Sequence, residues 1–509
     1  MAYQNSTLHL LLGQFDLGSS IAEQDTLLES ARVETSVFTD LLQDRVDIIA
    51  GTKGSGKSAL YRIFVEFLPK HLLLSRKVVI AHGVSSTGDH VFHAFKEQFE
   101  TLDEEDFVSF WCIYLISLAH ENFLKNEMYR VHLLAAQAEV AAFRSASQQA
   151  GIPELKKRKS LREVLAWTLA TLHMIVPKVK FKLPENCGEF EIDLFGNSAN
   201  QPSVSASDET NKLPLYTEKL KSCLDRILTA CDLRLWMMID RLDEIFPRRS
   251  ELERRALRGL LRATRVFGSD RIRIKVFLRD DMLHQVVRGG EGFVALSHIT
   301  SRQSEILRWS EEQILTMVVK RIFASYQMID FFGVDKDALD TSHSYRTDLF
   351  YRVFPDSVNK GSRQSKTLRW IYNHTADSNG VVTPRDVIDL LTKAKQHQQS
   401  ILQSNKAGKS LDFFDSNSIQ YGLAELSKRK RTTYLEAEFP HLWEHMEKFA
   451  GGPVRFSEEH VRKYLGRDWS DVVKDLKSIG FLAESHSKTG RHFSIPYLYR
   501  KGLELPNWS

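Results

Sequence analysis

Short apolar runs alternate with longer segments of helical periodicity along this chain. Four runs rich in β-branched or other apolar residues lie at 46–50, 77–81, 233–240 and 272–279. Runs of this length without strict alternation are typical of parallel strands that are buried on both faces. Between and after them, apolar residues recur every three or four positions, which predicts amphipathic helices. The pattern therefore predicts an α/β fold with a parallel sheet.

The interval between the second and third runs is unusually long. We expect a core over residues 1–300 that contains a mostly helical insertion at about 100–215. A helix after Asp103 carries aromatic residues at helical spacing, which indicates a buried core face. Further predictions within the insertion are two strands at 179–182 and 190–193, a polar loop at 197–210 and a basic run at 156–159.

A helical lid is predicted over residues 301–410. Ser310 followed by Gln313 has the spacing of a capping box, and Thr383-Pro384 has the residue types of a second helix start. Arg385 therefore projects from the first turn of a helix, where it is either a rigidly presented functional guanidinium or an ordinary surface arginine.

Residues 411–509 are expected to form a winged-helix domain. Helices there precede a strand–turn–strand pattern at 481–495, which is the order of that motif. The helix that would read DNA carries Asp468, Asp471 and Asp475, which suit a phosphate backbone poorly. A structural or protein-contacting role is favoured over DNA binding, with Lys488 and Arg491 giving the wing only modest positive charge.

Composition adds few constraints. The chain is 42% hydrophobic and 26% charged, with a formal net charge of +4, as in an ordinary soluble protein. We find no signal peptide and no window of about 18 apolar residues, so we expect a cytoplasmic protein without a membrane partner. The cysteines lack metal-ligand spacing and are expected to be buried free thiols. They are Cys112, Cys187, Cys223 and Cys231.

A complete P-loop follows the first strand and precedes a helical segment, which is the context that this motif requires. Its glycines let backbone N–H groups surround phosphate oxygens, and its lysine reaches the β- and γ-phosphates. We therefore predict binding of a nucleoside triphosphate. The predicted binding residues are Gly51, Thr52, Lys53, Gly54, Ser55, Gly56, Lys57 and Ser58, with Ala59 next to them.

An acidic block ends the third strand. Asp240, expected on a strand beside the P-loop, and the Ser58 hydroxyl are the predicted Mg²⁺ ligands. Hydrolysis also needs a carboxylate that orients the attacking water, for which Glu244 and Asp243 are the candidates. Lys57 completes the predicted catalytic set together with Arg279.

Arg279 ends the fourth strand, where it either reports the γ-phosphate or is held in a salt bridge by Asp280 or Asp281. The helix predicted after Pro247 is rich in arginine, and one of these side chains could act as an arginine finger on a neighbouring subunit. Solvation or pairing with Glu251 and Glu253 is the favoured interpretation. The candidates are Arg248, Arg249, Arg254, Arg255, Arg258, Arg262 and Arg265.

In order and position, these motifs resemble the AAA+-related STAND-type ATPases, which include NACHT- and KAP-like bacterial proteins, with a lid and winged helix like those of origin-recognition ATPases. The resemblance implies ATP rather than GTP, a sensor-1 role for Arg279 and a sensor-2 role for Arg385 toward the γ-phosphate. The sequence shows no second catalytic constellation, so we expect a separately encoded effector, a homo-oligomer or both as partners. The resemblance makes bacterial anti-phage defence a plausible setting.

The sequence thus predicts a slow ATP-hydrolysing switch with ATP and Mg²⁺ as its cofactors. The alternative is a DNA-acting ATPase that uses the winged helix and the basic runs at 156–159 and 428–431. A third possibility, a degenerate ATPase, is disfavoured because Lys57, Ser58, Asp240 and Glu244 are all present.

Overall fold

The computed structural model describes most of the chain. The described residues are 5–83, 99–149, 168, 212–242, 250–288, 301–359, 361, 364–403, 413–487 and 490–506. Several sequence predictions lie outside them: the strands at 179–182 and 190–193, the loop at 197–210, the basic run at 156–159, Cys187, Asp243, Glu244, Arg248, Arg249 and Lys488.

The described strands are β1 (Ile48–Gly51), β2 (Val78–His82), β3 (Arg234–Ile239), β4 (Ile272–Arg279), β5 (Arg455–Ser457), β6 (Ala483–Ser487) and β7 (Gly490–Ser494). The described helices are α1 (Asn5–Gln14), α2 (Ser36–Leu42), α3 (Lys57–Arg62), α4 (Pro69–Arg76), α5 (Glu104–Ala119), α6 (Arg130–Leu133), α7 (Gln137–Gln149), α8 (Lys212–Ala230), α9 (Glu251–Phe267), α10 (Asp280–Arg288), α11 (Glu311–Ile322), α12 (Tyr326–Phe332), α13 (Lys336–Thr341), α14 (His343–Val353), α15 (Thr367–Thr375), α16 (Pro384–Gln403), α17 (Ser416–Lys430), α18 (Pro440–Glu447), α19 (Glu458–Leu465), α20 (Trp469–Ser478) and α21 (Tyr497–Arg500).

The chain divides into two compact units. The first unit comprises Met1–Thr35, Lys53–Gly56 and Arg308–Ser509, and the second comprises Ser36–Thr52 and Lys57–Leu307. The division into a core, a lid and a winged helix stays a prediction.

The second unit contains a parallel sheet, which confirms the predicted α/β class. Within the described residues its strand order is β1-β4-β3-β2, and all three pairings are parallel. The expectation that the strand of Asp240 lies beside the P-loop strand was wrong, because β4 pairs with both β1 and β3. The side chains of these strands are largely buried, as the predominantly apolar runs predicted.

The aromatic helix α5 is a core helix of the second unit. Asp103 caps its start in a capping box with Asp106, and its aromatic side chains are buried. It packs closely on α9 because Gly259 has no side chain: a Cβ there would lie 2.5 Å from the Cβ of Phe107. The Trp111 indole donates to the Ala256 carbonyl over 2.9 Å, which satisfies its buried N–H.

The same helix corrects one expectation. The stretch Glu104–Leu124 is long and apolar enough by composition to cross a membrane, although we found no such window in the sequence. Its most apolar window is 72% buried inside the structure, which is the situation of a core helix in a soluble protein. Cys112 on this helix and Cys223 are buried free thiols, as predicted. Burial raises the pKa of the Cys112 thiol to about 12.

A buried charge cluster connects β4 to the segment before β1. Lys275 is fully buried, and its ammonium donates to Asp44 at 2.5 Å, to Asp47 at 2.7 Å and to the Val46 carbonyl at 2.7 Å. Burial alone would raise the pKa of Asp47, but Lys275 and Arg302 outweigh it and hold that pKa below its usual range. The cluster therefore compensates charges that would otherwise be costly to bury.

Replacing Lys275 by methionine should lower the free energy of unfolding by about 1.5–3 kcal/mol, because two partly buried carboxylates lose a charge-assisted bond to a fully buried ammonium. Urea denaturation would measure this. Arg273→Met is the matched control on the same strand: its contact with Asp44 is 3.8 Å long and partly exposed, so it should cost less than about 1 kcal/mol. Equal costs for the two variants would contradict this account.

The first unit has its own hydrophobic core and begins its helices as predicted. Ser310 and Gln313 form the capping box of α11, and the Thr383 hydroxyl accepts from the Asp386 N–H over 3.2 Å at the start of α16. Near the C-terminus, the described strands form an antiparallel sheet of order β5-β7-β6. Helices α18, α19 and α20 precede the β6–β7 hairpin in the chain.

Asp377 organises the turn before α16. Its carboxylate accepts from the N–H groups of Asn379 at 2.8 Å and Val381 at 2.9 Å. Burial nevertheless raises its pKa to about 6; the two N–H groups and Lys430 oppose the rise, and Asp386 adds to it. Because the folded pKa lies above the unfolded value, this carboxyl stabilises the fold at low pH, and the contribution is lost as the pH rises through about 6.

Asp377→Asn should therefore raise the free energy of unfolding at pH 7 by about 2–3 kcal/mol, since the amide keeps an acceptor without a charge. The gain should fall toward zero near pH 4. Unfolding of both proteins between pH 4 and 8 would measure the difference. A loss of stability of similar size at every pH would show that the charge is not the cause.

Candidate functional site

The two ends of the P-loop lie in the second unit. Strand β1 ends at Gly51, and α3 begins at Lys57, as the motif predicted. The Lys57 ammonium donates to the carbonyls of Gly51 at 2.8 Å and Thr52 at 2.9 Å. It is thus held over the beginning of the loop, the position from which a P-loop lysine reaches phosphates.

The loop backbone needs its glycines. Gly54 has φ +83° and Gly56 has φ +99°, conformations that side-chain-bearing residues rarely adopt. Successive N–H groups in such a loop converge on an anion. The observed backbone is therefore compatible with the predicted role of these two glycines, which is to let N–H groups surround phosphate oxygens.

Two buried hydroxyls support the presence of a ligand site. Among the described residues, the atoms Thr52 Oγ1 and Ser55 Oγ have no hydrogen-bond partner although both are buried. Buried polar atoms are normally satisfied, so hydroxyls left over inside a phosphate-binding motif fit a polar ligand. The donors of this loop thus fit a nucleotide phosphate, and the Ser58 hydroxyl at the start of α3 fits Mg²⁺.

Asp240 directly follows β3. Burial raises the pKa of Tyr61 on α3 above its ordinary value, and the negative charge of Asp240 raises it further. In the described residues, no group of three or more His, Cys, Asp or Glu side chains could hold a metal. Among the described residues, Asp240 and Ser58 are the side chains that would hold a Mg²⁺ ion. Asp243 and Glu244 lie outside the described residues.

Arg279 lies in register with the first residue of the P-loop. Its Cα pairs with that of Gly51 across β4 and β1. Its guanidinium is buried and binds the Asp281 carboxylate through two bonds, Nε to Oδ1 at 2.9 Å and Nη2 to Oδ2 at 2.8 Å. The sequence left two roles open for Arg279, a salt bridge with a neighbouring aspartate and sensing of the γ-phosphate. The salt bridge is present, and the sensing role stays a prediction.

The tip of the P-loop, Lys53–Gly56, belongs to the first unit and contacts the start of α16 there. A Cβ built on Gly54 would lie 3.3 Å from both Arg385 Cβ and Thr383 Oγ1. Arg385 also donates through Nε to the Ser20 carbonyl over 3.3 Å. The sequence-predicted Arg385 is thus brought to the loop, and its partly buried position is that of a packed arginine rather than of a free surface side chain.

Two residues at the tip were missed by the sequence analysis. The Trp309 indole donates to the Ser55 carbonyl over 2.7 Å, and its ring lies beside Gly56. Glu438 forms an ion pair with Lys53, and the side chain of Glu438 is only 3% exposed. Neither residue belongs to a recognisable motif, so only the folded chain reveals them.

Four of the five described arginines of α9 bind acidic or backbone groups of the second unit. Arg254 pairs with Glu251, as expected, whereas Arg258 and Arg262 bind Glu104 on α5. Arg255 donates to the Leu102 carbonyl at 2.6 Å. These four side chains support the pairing interpretation, and the arginine finger stays an untested hypothesis.

The basic run of the DNA-binding alternative is also paired. Each of its four side chains contacts a carboxylate: Lys428 with Glu425, Arg429 with Asp389, Lys430 with Asp386 and Arg431 with Glu436. On the C-terminal sheet, Glu484 similarly binds Lys477 and Arg491. Neutralised side chains offer little charge to a phosphate backbone.

A cavity of about 740 Å³ lies elsewhere in the second unit. Asp47, Arg302, Ser269 and Ile272 line part of it, next to the amino ends of β1 and β4. Ligands of open parallel sheets bind outside the carboxyl ends of the strands, which is where Gly51 and Arg279 lie. The cavity is therefore not the candidate site.

Comparisons with models of protein families and with curated proteins found no match to this chain.

Trp309→Phe should loosen the tip, because the ring remains but the donor to the Ser55 carbonyl is lost. We expect faster hydrogen–deuterium exchange of the amides at 53–56, by about fivefold for a bond of about 1 kcal/mol. Trp370→Phe is the matched control: its buried indole N–H has no partner among the described residues. It should leave exchange at the tip unchanged, and an equal effect of both variants would contradict the role of the bond.

Proposed function

We propose that this protein is an ATP-binding and slowly ATP-hydrolysing molecular switch of the STAND/AAA+ type. The observation that carries the proposal is the P-loop itself. It joins a buried parallel strand to a helix, leaves two buried hydroxyls for a ligand and has Arg385 packed against Gly54.

In this proposal the residues of the second unit bind and orient the phosphates. Lys57 and the loop N–H groups hold the phosphate oxygens, and Ser58 and Asp240 hold Mg²⁺. When bound, ATP supplies the phosphoanhydride bond and Mg²⁺ neutralises charge on its phosphates. Glu244 or Asp243 orients the attacking water and accepts its proton.

Two arginines would couple the γ-phosphate to conformation. Arg279 would exchange part of its contact with Asp281 for the phosphate, and Arg385 would contact the phosphate from the lid at 301–410. An element that is biased by one phosphate is the physical basis of a nucleotide switch. The helices α18 to α20 and the β5–β7 sheet have the order of a winged helix, which would move with the lid.

The proposed partner is a separately encoded effector or further copies of this chain, in the cytoplasm and without a membrane. Anti-phage defence is the setting that the family resemblance suggests. A DNA-acting ATPase is less well supported, because the run at 428–431 is paired with carboxylates.

Lys57→Met should lower ATP affinity by about 10- to 100-fold, because a charge-assisted contact to phosphate is lost. Glu244→Gln should keep ATP binding but lower turnover by about 100-fold or more. Calorimetric titration with ATP and Mg²⁺ and phosphate release would measure the two effects. Lys70→Met on the exposed face of α4 is the control and should change neither.

The ATP titration and the phosphate-release measurement should both be made with and without duplex DNA. Slow turnover that DNA does not change supports the switch. Strong stimulation by DNA would favour the DNA-acting alternative, and absence of ATP binding by the wild-type protein would refute the proposal.

A further inference from the structure

The P-loop contains a second lysine whose partner is unusual. Lys53 is about one-third exposed and pairs with Glu438, whose carboxylate is almost fully buried. Both residues belong to the first unit. A carboxylate loses most of its hydration when it is buried, so it depends strongly on its cation.

Glu438 has an irregular backbone context. It follows a π-helical turn, Arg431–Glu436, that extends α17, and it precedes α18. The next residue, Phe439, is buried, which anchors the segment. π-Helical turns often occur at functional sites because they aim a side chain that a regular helix would direct elsewhere. The chain thus presents one carboxylate, from a distant segment, to the phosphate-binding loop.

We propose that Glu438 competes with nucleotide phosphate for Lys53 and thereby restrains ATP binding. This inference rests on the proposed function. The Lys53 ammonium belongs to a loop that surrounds phosphates, and a triphosphate carries more negative charge than one carboxylate. ATP binding would draw Lys53 away from Glu438. The free energy needed to separate the ion pair makes the free energy of ATP binding less favourable, so the affinity is lower.

The same exchange would report nucleotide occupancy to residues 411–509. When Lys53 turns to a phosphate, the buried Glu438 carboxylate loses its ion pair with Lys53, which destabilises the local arrangement of the segment between α17 and α18. Glu438 therefore acts through Lys53, as a positioning residue rather than a catalytic one.

The test is a double-mutant cycle on ATP affinity, measured by calorimetric titration with ATP and Mg²⁺. Glu438→Gln should raise the affinity by about fivefold or more, since a typical coupling between sites has at least this size. Lys53→Met should lower the affinity or leave it unchanged. The double variant should match Lys53→Met, because Glu438 acts only through that lysine.

Glu484→Gln is the matched control, since it removes a paired carboxylate from the C-terminal sheet without touching the loop. It should leave ATP affinity unchanged. A purely structural role for Glu438 predicts the opposite direction, because damage to the fold weakens binding.

The outcomes separate the two proposals. If the wild type binds ATP and Glu438→Gln does not bind it more tightly, the competition is refuted while the proposed function stands. If neither binds ATP, both are refuted. Binding that is detected only in Glu438→Gln would support both. Thermal unfolding of the four proteins without nucleotide gives a second test: additive shifts in Tm would show that the ion pair does not form and would overturn the inference.

Discussion

The parallel pairing of β1 with β4 is the constraint on which the candidate site depends. Because Gly51 pairs with Arg279, the start of the phosphate-binding loop and the end of the arginine-bearing strand are at the same level of the sheet. A slip of one residue would turn each side chain to the other face. The buried Lys275 cluster opposes such a slip, since it ties β4 to Asp44 and Asp47 just before β1.

Paired charge is the second theme of this structure. Four arginines of α9, the basic run at 428–431 and Arg279 lie against carboxylates or carbonyls. Pairing of this kind holds helices together and reduces the field available to a polyanion. It explains why the basic run at 428–431, which lies in the described part of the chain, presents little unpaired charge.

The P-loop combines a rigid motif with neighbours that no motif defines. Its glycine conformations and the position of its lysine are those that the proposed phosphate binding needs. Trp309, Arg385 and Glu438 instead come from positions far along the chain, and each contacts a different residue of the tip. A loop restrained at several points can respond to a ligand as a unit, which is what the proposed switch requires.

Local patterns alone determined the strands β1 to β4, the capping of α5, α11 and α16, and the P-loop between β1 and α3. These features depend on neighbours a few residues apart, because short apolar runs, helix caps and glycine conformations are properties of short stretches of sequence. The strand order was not determined in this way, since similar apolar runs can pair in either order. The strand before Asp240 was expected next to the P-loop strand, whereas β4 lies between them. Only the tertiary structure decided that Arg279 pairs with Gly51 across the sheet, and that Lys53 and Ser55 contact Glu438 and Trp309. Those contacts join residues up to hundreds of positions apart, and their energies depend on burial and distance, which no single stretch of sequence contains.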